Sequence, residues 1–223
     1  MSSAEQESPV RPAGPVQVHS IGNAGSRGRL RSSGAFAILA GLLWAVGVGT
    51  EIVLRPQRPD GSVAAPVLFT FVTAAGLAGS LFLVLAFRGL RASVLTEGRA
   101  SAAPAGRAAR AGSWCCVAGA VLLLVFAAAS LVSGLAAGAV WEPSFLAFAL
   151  GMLVLLGGQL ALGLAVRRHD VGAGGMWPCL VLGSACIVVA LVVPADPWHD
   201  LGLFGLFAAW VALGSGLLLR ARA

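Results

Sequence analysis

Six long runs of almost unbroken apolar residues divide the chain, at about 35–54, 64–87, 113–140, 145–166, 176–193 and 201–219. Each is near the roughly 20 residues that a helix rising 1.5 Å per residue needs to cross a hydrocarbon core about 30 Å thick. None alternates apolar and polar positions over about ten residues, as a barrel strand would. The pattern predicts an all-α integral membrane protein, with six transmembrane helices arranged as three hairpins. Some of the turns between runs are short and polar, such as WEP at 141–143 and PADPWHD at 194–200.

The first 33 residues break the pattern. They are rich in Ser, Gly, Pro and Arg, and carry too little apolar surface to offset the entropy of ordering them. Two regions are therefore expected: a disordered, basic, cytoplasmic tail over 1–33, and a six-helix transmembrane domain over 34–223. A cleaved signal sequence fits less well, because the first apolar run of about 20 residues exceeds the 7–15 of a signal core.

Composition agrees with the spans. The chain is 58% hydrophobic and 11% charged, with a mean hydropathy of +0.89, and so few charges cannot cover the surface of a soluble domain. The net charge of +6 raises the question of nucleic acid. Its distribution answers differently. With six spans, thirteen of the fifteen arginines fall on one side, and only Arg55 and Arg58 fall on the other, beside Glu51, Asp60, Glu142, Asp196 and Asp200. Arginines flanking short loops are held on the cytoplasmic side. Both termini are thus expected in the cytoplasm of a bacterial cell whose plasma membrane the chain crosses. Clusters such as SRGRLRSSG at 26–34 are expected to rest on anionic lipid headgroups, not on nucleic acid. The bilayer is the first expected partner, with homo-oligomers or other membrane proteins left open.

Small residues four apart let helices approach where lipid supplies no hydrophobic drive between them. Ala37, Gly41, Ala45 and Gly49 form such a stripe and are read as a packing face; shorter runs occur at Ser130, Gly134 and Gly138, at Gly157, Ala161 and Ala165, and at Ala208, Ala212 and Gly216.

Candidate chemistry is sparse. Glu51 is an acid inside an apolar run, and such a group marks a functional site by default. It stands close to the end of its span, one turn before Arg55, in the favourable i,i+4 order. It is read as an ion-paired rim residue. Gln159 is the strongly polar, non-ionisable residue deep in a span, and an interhelical hydrogen bond accounts for it. Glu51, Arg55 and Gln159 are the three candidate site residues.

The remaining groups argue against an enzyme. Cys115, Cys116, Cys179 and Cys186 lack C-x-x-C spacing. His19, His169 and His199 all lie outside the spans, which rules against a haem held by two intramembrane histidines. Asp196, His199 and Asp200 are the best available metal set, but helix-capping aspartates in a wet turn look the same. No cofactor, metal or catalytic residue is expected. Trp44 and Trp210 stand near the middle of their spans instead of at an interface, and helix packing is the preferred account over a ligand platform. The leading functional reading is a non-enzymatic structural or accessory membrane component. A small-solute carrier or channel acting as an oligomer, with Glu51 and Gln159 near the path, is the alternative; a thiol-dependent membrane enzyme has least support.

Overall fold

The structure, a computed structural model, describes residues 20–54, 64–98, 105–137, 143–169, 176–193 and 197–222. It consists of six helices: α1 (Ser20–Leu54), α2 (Ala64–Gly98), α3 (Ala105–Ala137), α4 (Ser144–His169), α5 (Met176–Val192) and α6 (Trp198–Arg220). Five hold a stretch long and apolar enough to cross a membrane. The other, α5, has 17 residues, about 25 Å at 1.5 Å per residue. There is no strand among the described residues.

The helix α1 begins at Ser20, inside the segment that composition assigns to the tail. Packing orders what composition alone would not. Leu30 and Ser33 are buried, and Ser33 lies against Gly89 of α2. Residues 1–19 lie outside the described part of the chain.

Among the described residues each helix packs on its neighbours in sequence, α6 returns to α1, and no other pair of helices brings its backbones as close. The six helices form a closed ring in chain order. Every neighbouring pair runs antiparallel. Gly112 meets Gly158 and Leu162 while Gly119 meets Gly151 and Leu155 across α3 and α4; Gly34 meets Gly214 while Gly41 meets Phe207 across α1 and α6. The arginines of the described residues, from Arg27 to Arg222, therefore gather at the end where α1 starts and α6 finishes. Glu51, His199 and Asp200 stand at the opposite end.

The burial pattern is that of a protein in lipid. Large apolar side chains cover the outside, Leu42, Val53, Val132, Leu146, Leu164 and Leu219 among them, while seven serines and Gln159 are buried. In water this arrangement would forfeit most of the hydrophobic drive to fold; in a bilayer the tails are as apolar as leucine. Several serines and threonines satisfy themselves locally, although the buried Ser80 hydroxyl has no partner. Ser33, Thr73 and Ser184 each donate to the carbonyl four residues earlier, at 2.7, 2.7 and 2.8 Å, which an interior helix position allows.

Glycine sets how closely the ring closes. A Cβ placed on Gly34 would stand 2.6 Å from the carbonyl oxygen of Gly214, and one on Gly41 would stand 2.7 Å from that of Phe207. The stripe read from α1 does face α6: Gly41 touches it backbone to backbone, Gly49 lies on the Phe204 ring, and Ala37 is buried. The stripe read from α6 is off by two residues, and the one read from α4 is off at Gly157 by one residue while Ala161 does lie against Gly112 of α3. Gly157 and Gly216 have nothing within 4 Å, and the close contacts fall to Gly158 and Gly214. Neighbouring residues point about 100° apart, so a small residue one or two places away faces lipid instead of a partner.

Candidate functional site: an aromatic cavity inside the ring

A cavity of about 570 Å³ opens between α1, α2, α3, α4 and α6 in the half of the ring away from the arginines. That is within the 300–1,000 Å³ usual for small-molecule sites. Two aromatic groups form its facing walls. On one side Trp44 of α1 stacks on Phe207 of α6 with ring centroids 5.9 Å apart, and Phe207 in turn meets Trp210 at 5.8 Å. On the other, Phe126 of α3 packs against Phe145 and Phe148 of α4 at 5.6 and 5.1 Å. Phe69, Val72, Thr73 and Gly76 supply the α2 wall, with Leu123, Ala127, Met152 and Leu206 between.

Local sequence explains why these rings project inward. Trp44 lies on α2 where Gly76 and Gly79 leave it a bed, the nearest indole atom standing 2.7 Å from where a Gly79 Cβ would be. Gly76 and Gly79 are three apart and so share a helix face. Phe145 and Phe148 share one face of α4 for the same reason. Ser130 and Ser144, both buried, approach oxygen to oxygen at 3.5 Å beside the α4 start.

Polar groups are few and grouped. Glu51, His199 and Asp200 line the cavity near its helix ends. The Nδ1 of His199 lies 2.7 Å from the Ala190 carbonyl oxygen, and a carbonyl can only accept, so Nδ1 donates and the ring is tied to α5. Deeper, the Nε1 atoms of Trp44 and Trp210 are buried with no acceptor. Trp210 is 2% exposed and lines the cavity. Thr73 has already given its hydroxyl proton to Phe69. Among the described residues no arginine lines the cavity.

The three candidates from the sequence do not form one site. Glu51 lines the cavity and is half-buried. Arg55 lies outside the described residues. Gln159 is 1% exposed and stands beside Gly183 of α5, its Oε1 2.8 Å from where a Cβ would be, and neither its amide nitrogen nor its oxygen has a partner. It is not among the cavity-lining residues, although Leu206, which is, approaches the same point on Gly183. The interhelical hydrogen bond expected of Gln159 is thus not made.

The cysteines are all free. Two serve as small apolar knobs: Cys116 packs into the notch at Gly158, and Cys186 into that at Gly205. Among the described residues no three of His, Cys, Asp and Glu converge as metal ligands, and Asp196 lies outside them. At the arginine-rich end two cation–π contacts clamp neighbouring helices, Arg91 over Trp114 at 3.6 Å and Arg167 over Trp177 at 5.0 Å.

The mid-span tryptophans were visible in the sequence, but their convergence was not. Phe69, Phe126, Phe145, Phe148 and Phe207 gave no signal at all, since phenylalanine in a span is ordinary. No protein-family model matches the chain, and neither does any curated protein or solved structure. What the fold and the site define is a class: an all-α, membrane-type bundle whose helices close in chain order around an aromatic cavity.

Proposed function

We propose that this chain is an integral membrane protein that binds a small, mainly apolar molecule inside its helix ring, and that it belongs with binding and carrier proteins, not with enzymes. One observation supports this reading above all, the cavity of about 570 Å³ walled by aromatic rings. An accessory subunit needs no such space, and well-packed interiors hold few voids larger than a water molecule. Rigid rings offer a ligand large contact area at little cost in side-chain freedom.

The test fills the cavity. Ala127 lines it and is buried. In purified protein, a brominated alkylbenzene should quench part of the tryptophan fluorescence in a saturable way, through Trp44 and Trp210. Ala127→Phe should abolish the saturable part, leaving the non-saturable quenching of Trp114 and Trp198, which are 55% and 59% exposed. Its unfolding temperature should stay within a few degrees of the parent's, because the ring enters existing space. Quenching unchanged by Ala127→Phe would remove the cavity from the function.

The orientation we propose puts the arginine-rich end in the cytoplasm, supported by the retention of arginine on that side. Reporter fusions after Arg58, Glu142 and Asp200 are expected to read as external, and fusions after Arg107, His169 and Arg222 as cytoplasmic. The opposite pattern would invert the map.

A further inference from the structure

The hydrogen-bonding capacity left unused on the cavity walls bears on the polar atom of whatever enters. We propose that the ligand is a mainly apolar molecule carrying a hydrogen-bond acceptor, such as the oxygen of a ketone, an ester or an ether; this rests on the cavity being a binding site. Most polar side chains that line the cavity are engaged. Glu51 and Asp200 have interactions within the protein, His199 is tied to Ala190, Ser130 approaches Ser144, and Thr73 gives its proton to the Phe69 carbonyl. Among the described residues, the lining side-chain atoms that are buried without a partner are the Nε1 atoms of Trp44 and Trp210. An indole nitrogen donates and cannot accept, so both unmade bonds call for an acceptor. The two donors belong to one wall, since Trp44 stacks on Phe207 and Phe207 meets Trp210. Burial keeps bulk water from them, and a buried donor without an acceptor is costly enough that native structures rarely keep one. A ketone dissolved in hydrocarbon has no donor either. Moving it from lipid to these indoles makes a hydrogen bond without breaking one, whereas an N–H on the ligand would add a further donor beside two that already lack acceptors.

Three probes of nearly one shape separate an acceptor from a donor and from neither: benzophenone, diphenylamine and diphenylmethane. Binding is measured by equilibrium dialysis on the full chain in nanodiscs of zwitterionic phosphatidylcholine, with empty nanodiscs subtracted and affinities referred to the probe dissolved in the lipid. Benzophenone should bind saturably and about tenfold or more tighter than diphenylmethane, and diphenylamine should bind no tighter than diphenylmethane. In the double variant Trp44→Phe with Trp210→Phe, which removes both donors and keeps two rings, the ratio of benzophenone to diphenylmethane affinity should fall to about one. A second readout needs no substitution and decides the matter if that variant does not fold. In infrared difference spectra with an isotope-labelled carbonyl, the benzophenone stretch on the protein should lie below that of the same probe in empty nanodiscs. A parent ratio near one, a ratio unchanged in the double variant, diphenylamine as the tightest probe, or an unshifted stretch would overturn the acceptor assignment while the cavity reading stands. Absence of saturable binding for all three would overturn it as well, and quenching by the brominated alkylbenzene then tells whether the cavity reading falls with it.

Discussion

Gly214→Val is expected to be the most damaging single substitution in the bundle, while Gly216→Val, two residues on, is expected to do almost nothing. The two share a helix, a residue type and a helix-propensity change, so only their surroundings differ. A Cβ on Gly214 would meet Ile38 of α1 at 2.8 Å at its Cγ1 and at 2.9 Å at its backbone nitrogen; one on Gly216 meets nothing within 4 Å. Backbone on one side and a branched side chain on the other leave no flexible atom to give way, and overpacking of this kind costs roughly 3 kcal/mol, the upper part of its usual range. Thermal unfolding of the purified protein in mild detergent measures it. Equal unfolding temperatures for the two variants would mean that α1 and α6 do not meet through these glycines.

The second large effect runs the other way, because Gln159→Met is expected to stabilise the protein. Gln159 is 1% exposed with both amide atoms unpartnered, and each buried group left unsatisfied costs about 1–3 kcal/mol. Methionine matches glutamine in length and bends easily, so it removes the polar atoms without opening a void. A gain of about 1–3 kcal/mol should appear in the same unfolding assay. A loss of stability would show that the amide has a partner, such as a bound water, which the substitution takes away.

What could be read ahead of the structure followed from one physical fact, that a helix in lipid must be apolar over its whole length. That makes helix class legible from composition, and for the same reason it erases the amphipathic stripe from which helix faces are normally assigned. Leu42 faces lipid and Leu83 is buried, yet nothing in their surroundings in the chain separates them. Glycine carried the little facial information there was, and it pointed the right way in α1, where four small residues repeat at the same spacing, and in α3, where Gly134 lies against Phe69 of α2. In α4 two glycines are adjacent, and the sequence cannot say that Gly158 meets Cys116 while Gly157 meets lipid. The cavity was illegible for the next reason up. Trp44, Phe126, Phe148 and Trp210 come from four helices, and they converge only because α6 returns to α1.

That return has a consequence for the order in which the protein can be made. A chain threaded into the membrane from its N-terminus can form each contact between successive helices as soon as the second of them arrives, since their partners are close in sequence and loop closure is brief. The contact between α1 and α6 joins the two helices farthest apart in the sequence, and it cannot form until the last has been synthesised. Until then Gly34 and Gly41 line an open groove and the ring is a strip of five helices. Long-range contacts of this kind are the slow ones in folding, and a helix strip with an uncovered small-residue face is a species on which membrane quality control can act. A stop codon between Val192 and Trp198 would leave five helices with no wall to complete the vessel. The final helix therefore decides the fate of everything translated before it.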